Sequence, residues 1–229
     1  LTSISRLTNH SESSTNCESL VQIFERLCES IDLDFGMVSK LLEIDGLYAV
    51  GDIVTRALTD EKFSLSHAVP FPVLTFVYLK PHQTLLDEIE HRGIGLKMGR
   101  YVEPRYSVFS CKSSEGKTLP LWPSRFVSRG KNGGLDGRSV IIHTGFCMPD
   151  KMSVSKLKCD TFDFLKTFYR KGEFTLLDRD AVLSKTHYQN ETLLDARDKY
   201  SNRGYSFTTE SHAVSMVTYP DHLTPSQLK

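Results

Sequence analysis

Three observations predict an α+β fold: a mixed, mostly antiparallel sheet packed by two or three amphipathic helices. Helical and strand-like segments are interspersed along the chain without the regular β-α-β cadence of a doubly wound protein. The composition is that of a globular protein, with 39% hydrophobic and 24% charged residues, which argues against disorder. No linker-like shift in composition divides the chain, so one domain is expected at residues 17–219, after a flexible arm at 1–16 and before a polar tail at 220–229.

Residues 1–16 are rich in Ser, Thr and Asn and have little to bury. Thr15 or Asn16 can cap a helix, with Glu18 as capping-box partner. That helix carries Leu20, Phe24, Leu27, Cys28 and Ile31 on one face. Asp32 to Gly36 breaks it, and Met37–Ile44 and Asp52–Leu58 are short amphipathic pieces whose state stays open. Val73–Leu79 reads as a buried strand. Pro81 suits the first turn of a helix over His82–His91, which Gly93 stops.

Ile94 to Cys111 reads as two strands around Gly99-Arg100, the second interrupted by Pro104. Leu119–Val127 holds two prolines and Trp122, the only tryptophan, and reads as an irregular crossing segment. A glycine-rich loop, Gly130 to Arg138, then runs into a strand over Ser139–Phe146. A second helix is predicted over Ser153–Tyr169, closed by Gly172. Phe174–Leu177 is a short strand, Asp178–Tyr200 is helical, and the alternation over Tyr205–Tyr219 is a strand or a hairpin.

The helix-then-turn phrase Leu27 to Val38, with Asp32, Asp34, Phe35 and Gly36, resembles phrases in bacterial toxin-immunity proteins. That resemblance implies a protein partner.

Function is less legible. Lys+Arg and Asp+Glu are equal at 28 each, so the net charge is zero, where nucleic-acid binders usually carry a basic surplus. Five cysteines without CxxC spacing argue against a disulfide framework or zinc ribbon, and make a reducing cytoplasm the simplest location. No apolar run approaches the roughly 18 residues of a spanning helix, so no membrane partner is expected. The histidines form no HxH or HExxH pattern, and no metal or cofactor is expected.

The Gly130–Arg138 loop matches neither a P-loop nor a dinucleotide fingerprint, and its glycines fit a surface turn. Arg138 sits at its base. His143 and Cys147 share a face of the following strand about 13 Å apart, too far for a thiolate–imidazole pair. These three are the candidate catalytic residues. Trp122, Arg125, Phe126, Arg129, Asn132, Asp136 and Arg138 are the candidate binding residues, because cations interleaved with aromatics can hold phosphates and stack bases.

The leading expectation is a non-enzymatic protein that binds a protein partner, of inhibitor or immunity type. The alternative is a hydrolase or transferase with a pocket at residues 130–147. A nucleic-acid-binding accessory role using the Arg125–Arg138 region is third, disfavoured by the neutral charge.

Overall fold

Capping chemistry sets where the first helix begins. In the computed structural model, which describes residues 18–59, 73–101, 109–113, 115–128, 139–146, 148, 152–188 and 194–228, helix α1 spans Leu20–Ser30. Its cap is Ser19, not Thr15 or Asn16: the Ser19 hydroxyl accepts from the Gln22 N–H, and the Gln22 amide oxygen accepts from the Ser19 N–H at 2.9 Å. This reciprocal box satisfies two of the helix's orphan donors. Ser19→Ala is expected to cost about 1 kcal/mol, read as a lowered urea midpoint. The helix ends where Asp32 turns left-handed (φ 58°) and the Leu33 N–H reaches back to the Cys28 carbonyl.

The two undecided pieces are both helices, α2 at Phe35–Leu42 and α3 at Asp52–Thr59. Between them lies β1, Leu47–Val50. Strand β2, Thr75–Pro81, feeds α4, His82–His91, as the sequence predicts, and Gly93 takes φ 59° after it. Then come β3 (Leu96–Tyr101), β4 (Phe109–Lys112), β5 (Thr118–Ser128) and β6 (Ser139–Gly145). The chain continues through β7 (Lys158–Cys159), β8 (Thr167–Arg170), β9 (Glu173–Leu176) and α5 (Arg179–Leu183). It ends with β10 (Thr186–His187), α6 (Leu194–Ser201), β11 (Ser206–Phe207) and β12 (Val217–Pro220).

Among the described residues ten strands form one sheet in the order β12-β9-β8-β1-β2-β6-β5-β4-β7, with β3 also on β5. Every pairing in it is antiparallel except β2 with β6. The protein is therefore α+β with a mixed, mostly antiparallel sheet. Strands β10 and β11 form a separate parallel pair.

Helices α1 to α4 cover one face. Leu20, Phe24 and Leu27 of α1, Leu41 of α2, Val54 of α3 and Leu85 of α4 share a buried cluster with Ala49, Phe76, Tyr78, Phe126, Ile142, Tyr169 and Phe174 from the strands. The opposite face gathers Val50, Val77, Leu79 and Phe168 with Phe109, Cys111, Leu121 and Leu157. Phe168 and Phe109 belong to strands far apart in the order, so the sheet curls to bring them into one cluster.

Three expectations are corrected. The segment Leu119–Val127 is not irregular but lies in β5, which pairs with β4, β6 and β3. A proline inside a strand has no ladder N–H, and each proline here has one edge without a ladder partner among the described residues. Pro120 faces Ser110, but the pairing with β6 begins only at Trp122. Pro123 faces His143, but falls between the Ser124–Tyr101 and Leu121–Phe109 pairs on the other edge.

The helix predicted over Ser153–Tyr169 does not form. Its apolar residues divide among three clusters: Leu157 and Phe168 go to the curled face, Tyr169 to the helix-covered face, and Phe162 and Phe164 to an aromatic group with Tyr200 and Tyr205. Thr167, Phe168 and Tyr169 are all buried, so β8 shows no alternation in sequence.

Over Tyr205–Tyr219 only the ends are strands, β11 and β12, and they pair with β10 and β9 rather than with each other. Residues 221–228 are docked on the fold. The Leu20 and Val21 N–H groups donate to the Leu223 and Asp221 carbonyls, the Asp221 carboxylate accepts from the Tyr169 hydroxyl, and Leu228 is buried. The expected arm at 1–16, Pro104 and the loop 130–138 lie outside the described residues.

Candidate functional site

The β5–β6 ladder places the described candidates on opposite faces of the sheet. Trp122 pairs with Thr144 and Phe126 with Val140 on the helix-covered side, whereas Arg125 pairs with Ile141 and faces the other way. Phe126 is 1% exposed and belongs to the core, Trp122 is half-buried, and Arg125 is exposed. The interleaving of cation and aromatics therefore does not become one surface, and Phe126 has no face to offer a base. Arg129, Asn132, Asp136, Arg138 and Cys147 lie outside the described residues.

His143 is buried on β6, edge-on to Phe109 with ring centroids 4.9 Å apart. Burial pushes its pKa down to about 4, against a backbone hydrogen bond to Leu121 that works the other way. Its Nδ1 has no hydrogen-bond partner among the described residues. Among the described residues no carboxylate meets this ring, so none of them supplies the orienting partner that a catalytic base needs. The described thiols are equally quiet: burial raises the pKa of Cys28 and Cys111, and that of Cys159 to about 12.

A different constellation occupies residues 163–216, built on two buried carboxylates. Asp163 Oδ1 accepts from Lys166 Nζ at 2.7 Å, and its Oδ2 meets His187 Nδ1 at 2.8 Å and accepts from the Tyr188 N–H at 3.0 Å. Burial alone would raise its pKa, but the hydrogen bonds from His187, Lys166 and Tyr188 outweigh it and hold the carboxyl well below the usual range. Tyr188, fixed by that bond, stacks its ring on His212 at 3.9 Å and 8°. His212 Nε2 in turn meets Asp178 Oδ1 at 2.8 Å, and the same oxygen accepts from the Ala181 N–H to cap α5. The aromatic group beneath is tied to α3 by Arg203, which lies over the Tyr200 and Tyr205 rings and donates to Asp52 at 2.9 Å.

The product of this framework is a short, exposed length of chain. From Ser211 to Met216 the backbone runs without a turn or bend into β12. Ala213, Val214, Ser215 and Met216 are all exposed, Val214 at 73% and Met216 at 56%. The segment is fastened at His212, by Asp178 and Tyr188, and at Ser215, whose carbonyl accepts from the Arg179 N–H at 2.8 Å. Ala213 and Val214 make no backbone hydrogen bond among the described residues. From Ser211 to Pro220 there is no Lys, Arg, Asp or Glu.

Sequence reasoning missed this segment because its alternation reads as a strand. The readable signal was Val214 and Met216 beside a histidine in an uncharged run.

A shallow cleft of about 280 Å³ also opens beside Tyr48, Val154, Arg170 and Lys171. Its cations are already paired, Arg170 with Asp45 and Lys171 with Glu43. Among the described residues no three His, Cys, Asp or Glu side chains converge as a metal set, and no helix is long and apolar enough to cross a membrane. No protein-family model, no curated protein and no solved structure matches the chain significantly.

Proposed function

We propose that this protein works by binding another protein, and that the Ser211–Met216 segment is the part it presents. The observation that carries the reading is the combination of exposure and fixity in that segment. Large apolar side chains exposed at 73% and 56% sit on a backbone fastened on both sides of Val214. A pre-ordered segment loses little conformational freedom on binding, so its contacts convert more fully into affinity. The run from Ser211 to Pro220 contains no Lys, Arg, Asp or Glu, which suits a protein surface better than phosphates. An inhibitory or immunity role is one form of this reading. The free thiols of Cys28, Cys111 and Cys159 support a reducing location such as the cytoplasm.

The test is capture from the native host with wild-type chain and with the Val214→Asp/Met216→Asp pair, followed by reconstitution with the purified partner. Both positions are exposed, so the pair should shift stability by no more than about 0.5 kcal/mol per site. Affinity for the partner should fall about tenfold or more, since each charge must be desolvated at an apolar contact. Equal affinity of the two chains for that partner would place the interface elsewhere.

A further inference from the structure

We propose that the partner is an endopeptidase with an apolar primary pocket, and that Met216 is the residue the pocket receives. The inference rests on the protein-binding reading and names its partner class. An active-site cleft takes its peptide as an extended strand, and the primary pocket selects one side chain by size and charge. Val214 and Met216 are both exposed and two residues apart on a chain without a bend, the spacing that puts two side chains on one side of an extended strand. The carbonyl of the intervening Ser215 points inward to the Arg179 N–H. The segment thus offers one row of apolar side chains outward while its scaffold holds the residue between them.

The chain on either side of Met216 distinguishes an inhibitor from a substrate. Val217 is the first residue of β12, paired with Leu176 and partly buried against the core. Before Met216 the chain is held at Ser215 and His212. Hydrolysis adds water across the Met216–Val217 amide and leaves a carboxylate on Met216 and an amine on Val217. Both new ends stay fastened to the fold, so the cleaved segment is not released and the cleft stays occupied. The uncharged run from Ser211 to Pro220 fits an apolar cleft and gives no anchor for a pocket that selects a cation.

The experiment uses the whole chain and purified endopeptidases of three pocket types: large apolar, small apolar and cation-selecting. Inhibition of a peptide substrate is measured alongside mass spectrometry of the chain. The expected result is competitive inhibition of an apolar-pocket enzyme, with cleavage at Met216–Val217 much slower than in a free peptide of the same sequence. Met216→Asp should weaken inhibition about tenfold or more, and Met216→Lys should transfer it to the cation-selecting enzyme, because the pocket reads that one side chain. Circular dichroism of both variants checks that the fold is kept. Rapid cleavage after Met216 with loss of inhibition overturns the proposal, as does absence of inhibition across all three types. If inhibition is absent while a captured partner still depends on Val214 and Met216, the peptidase assignment fails and the protein-binding reading stands.

Discussion

Asp178→Ala is expected to destabilise the protein by about 2–3 kcal/mol and to free the Ser211–Met216 segment at the same time. Asp178 is 2% exposed, and its carboxylate caps α5 through the Ala181 N–H and meets His212 Nε2. Losing a cap costs about 1 kcal/mol, and losing a hydrogen-bond partner at a buried site about 1–3 kcal/mol. Urea unfolding reads the first effect. Limited proteolysis reads the second, through faster cutting between Ser211 and Met216. His212→Ala separates the two: Asp178 still caps α5, so stability falls by only about 1 kcal/mol, while the segment loosens as much. A variant of either kind that loses stability without faster cutting would show that the latch does not order the segment.

Asp163→Ala is expected to cost more, about 3–5 kcal/mol, because it strands Lys166 and His187 around a vacated buried site. It also removes the acceptor of the Tyr188 N–H and so disturbs the ring that stacks on His212. The pH dependence has a definite sign. The folded-state pKa of Asp163 is depressed, so its stabilisation is fully present above the unfolded carboxylate value of about 3.9 and is lost as pH falls through the lower folded value. Stability of the wild type should therefore decline below about pH 5, and the decline should be shallower in Asp163→Ala. Urea midpoints from pH 7 to pH 3 measure it. Parallel pH profiles for the two proteins would mean that the Asp163 carboxyl is not held low by its neighbours.

Legibility of the fold in the sequence depended on whether one element buried one face. Leu20, Phe24 and Leu27 face a single cluster, so α1 shows helical spacing, and Pro81 and Gly93 bracket α4 by local chemistry. Strand β8 was hidden because Phe168 and Tyr169 are buried on opposite faces, which leaves no alternation to read. Strand β5 was hidden by Pro120 and Pro123, whose tolerance depends on where the β6 and β3 pairings end. The candidate site was less legible still. Asp163 and His187 are separated by 24 residues and Asp178 and His212 by 34, and the ring of Tyr188 stacked on His212 links the two pairs across that distance. His143 drew attention by its position in a β-branched run, but that run is the core, and the core keeps it neutral.

Partner binding through Ser211–Met216 requires that the segment be ordered while exposed, and backbone ¹⁵N relaxation measures that directly. Order parameters for Ala213, Val214 and Met216 should lie near about 0.85 in the wild type and fall below about 0.6 in His212→Ala. Wild-type values already below about 0.6 would contradict it, because a segment that moves freely on that timescale is not held for a partner.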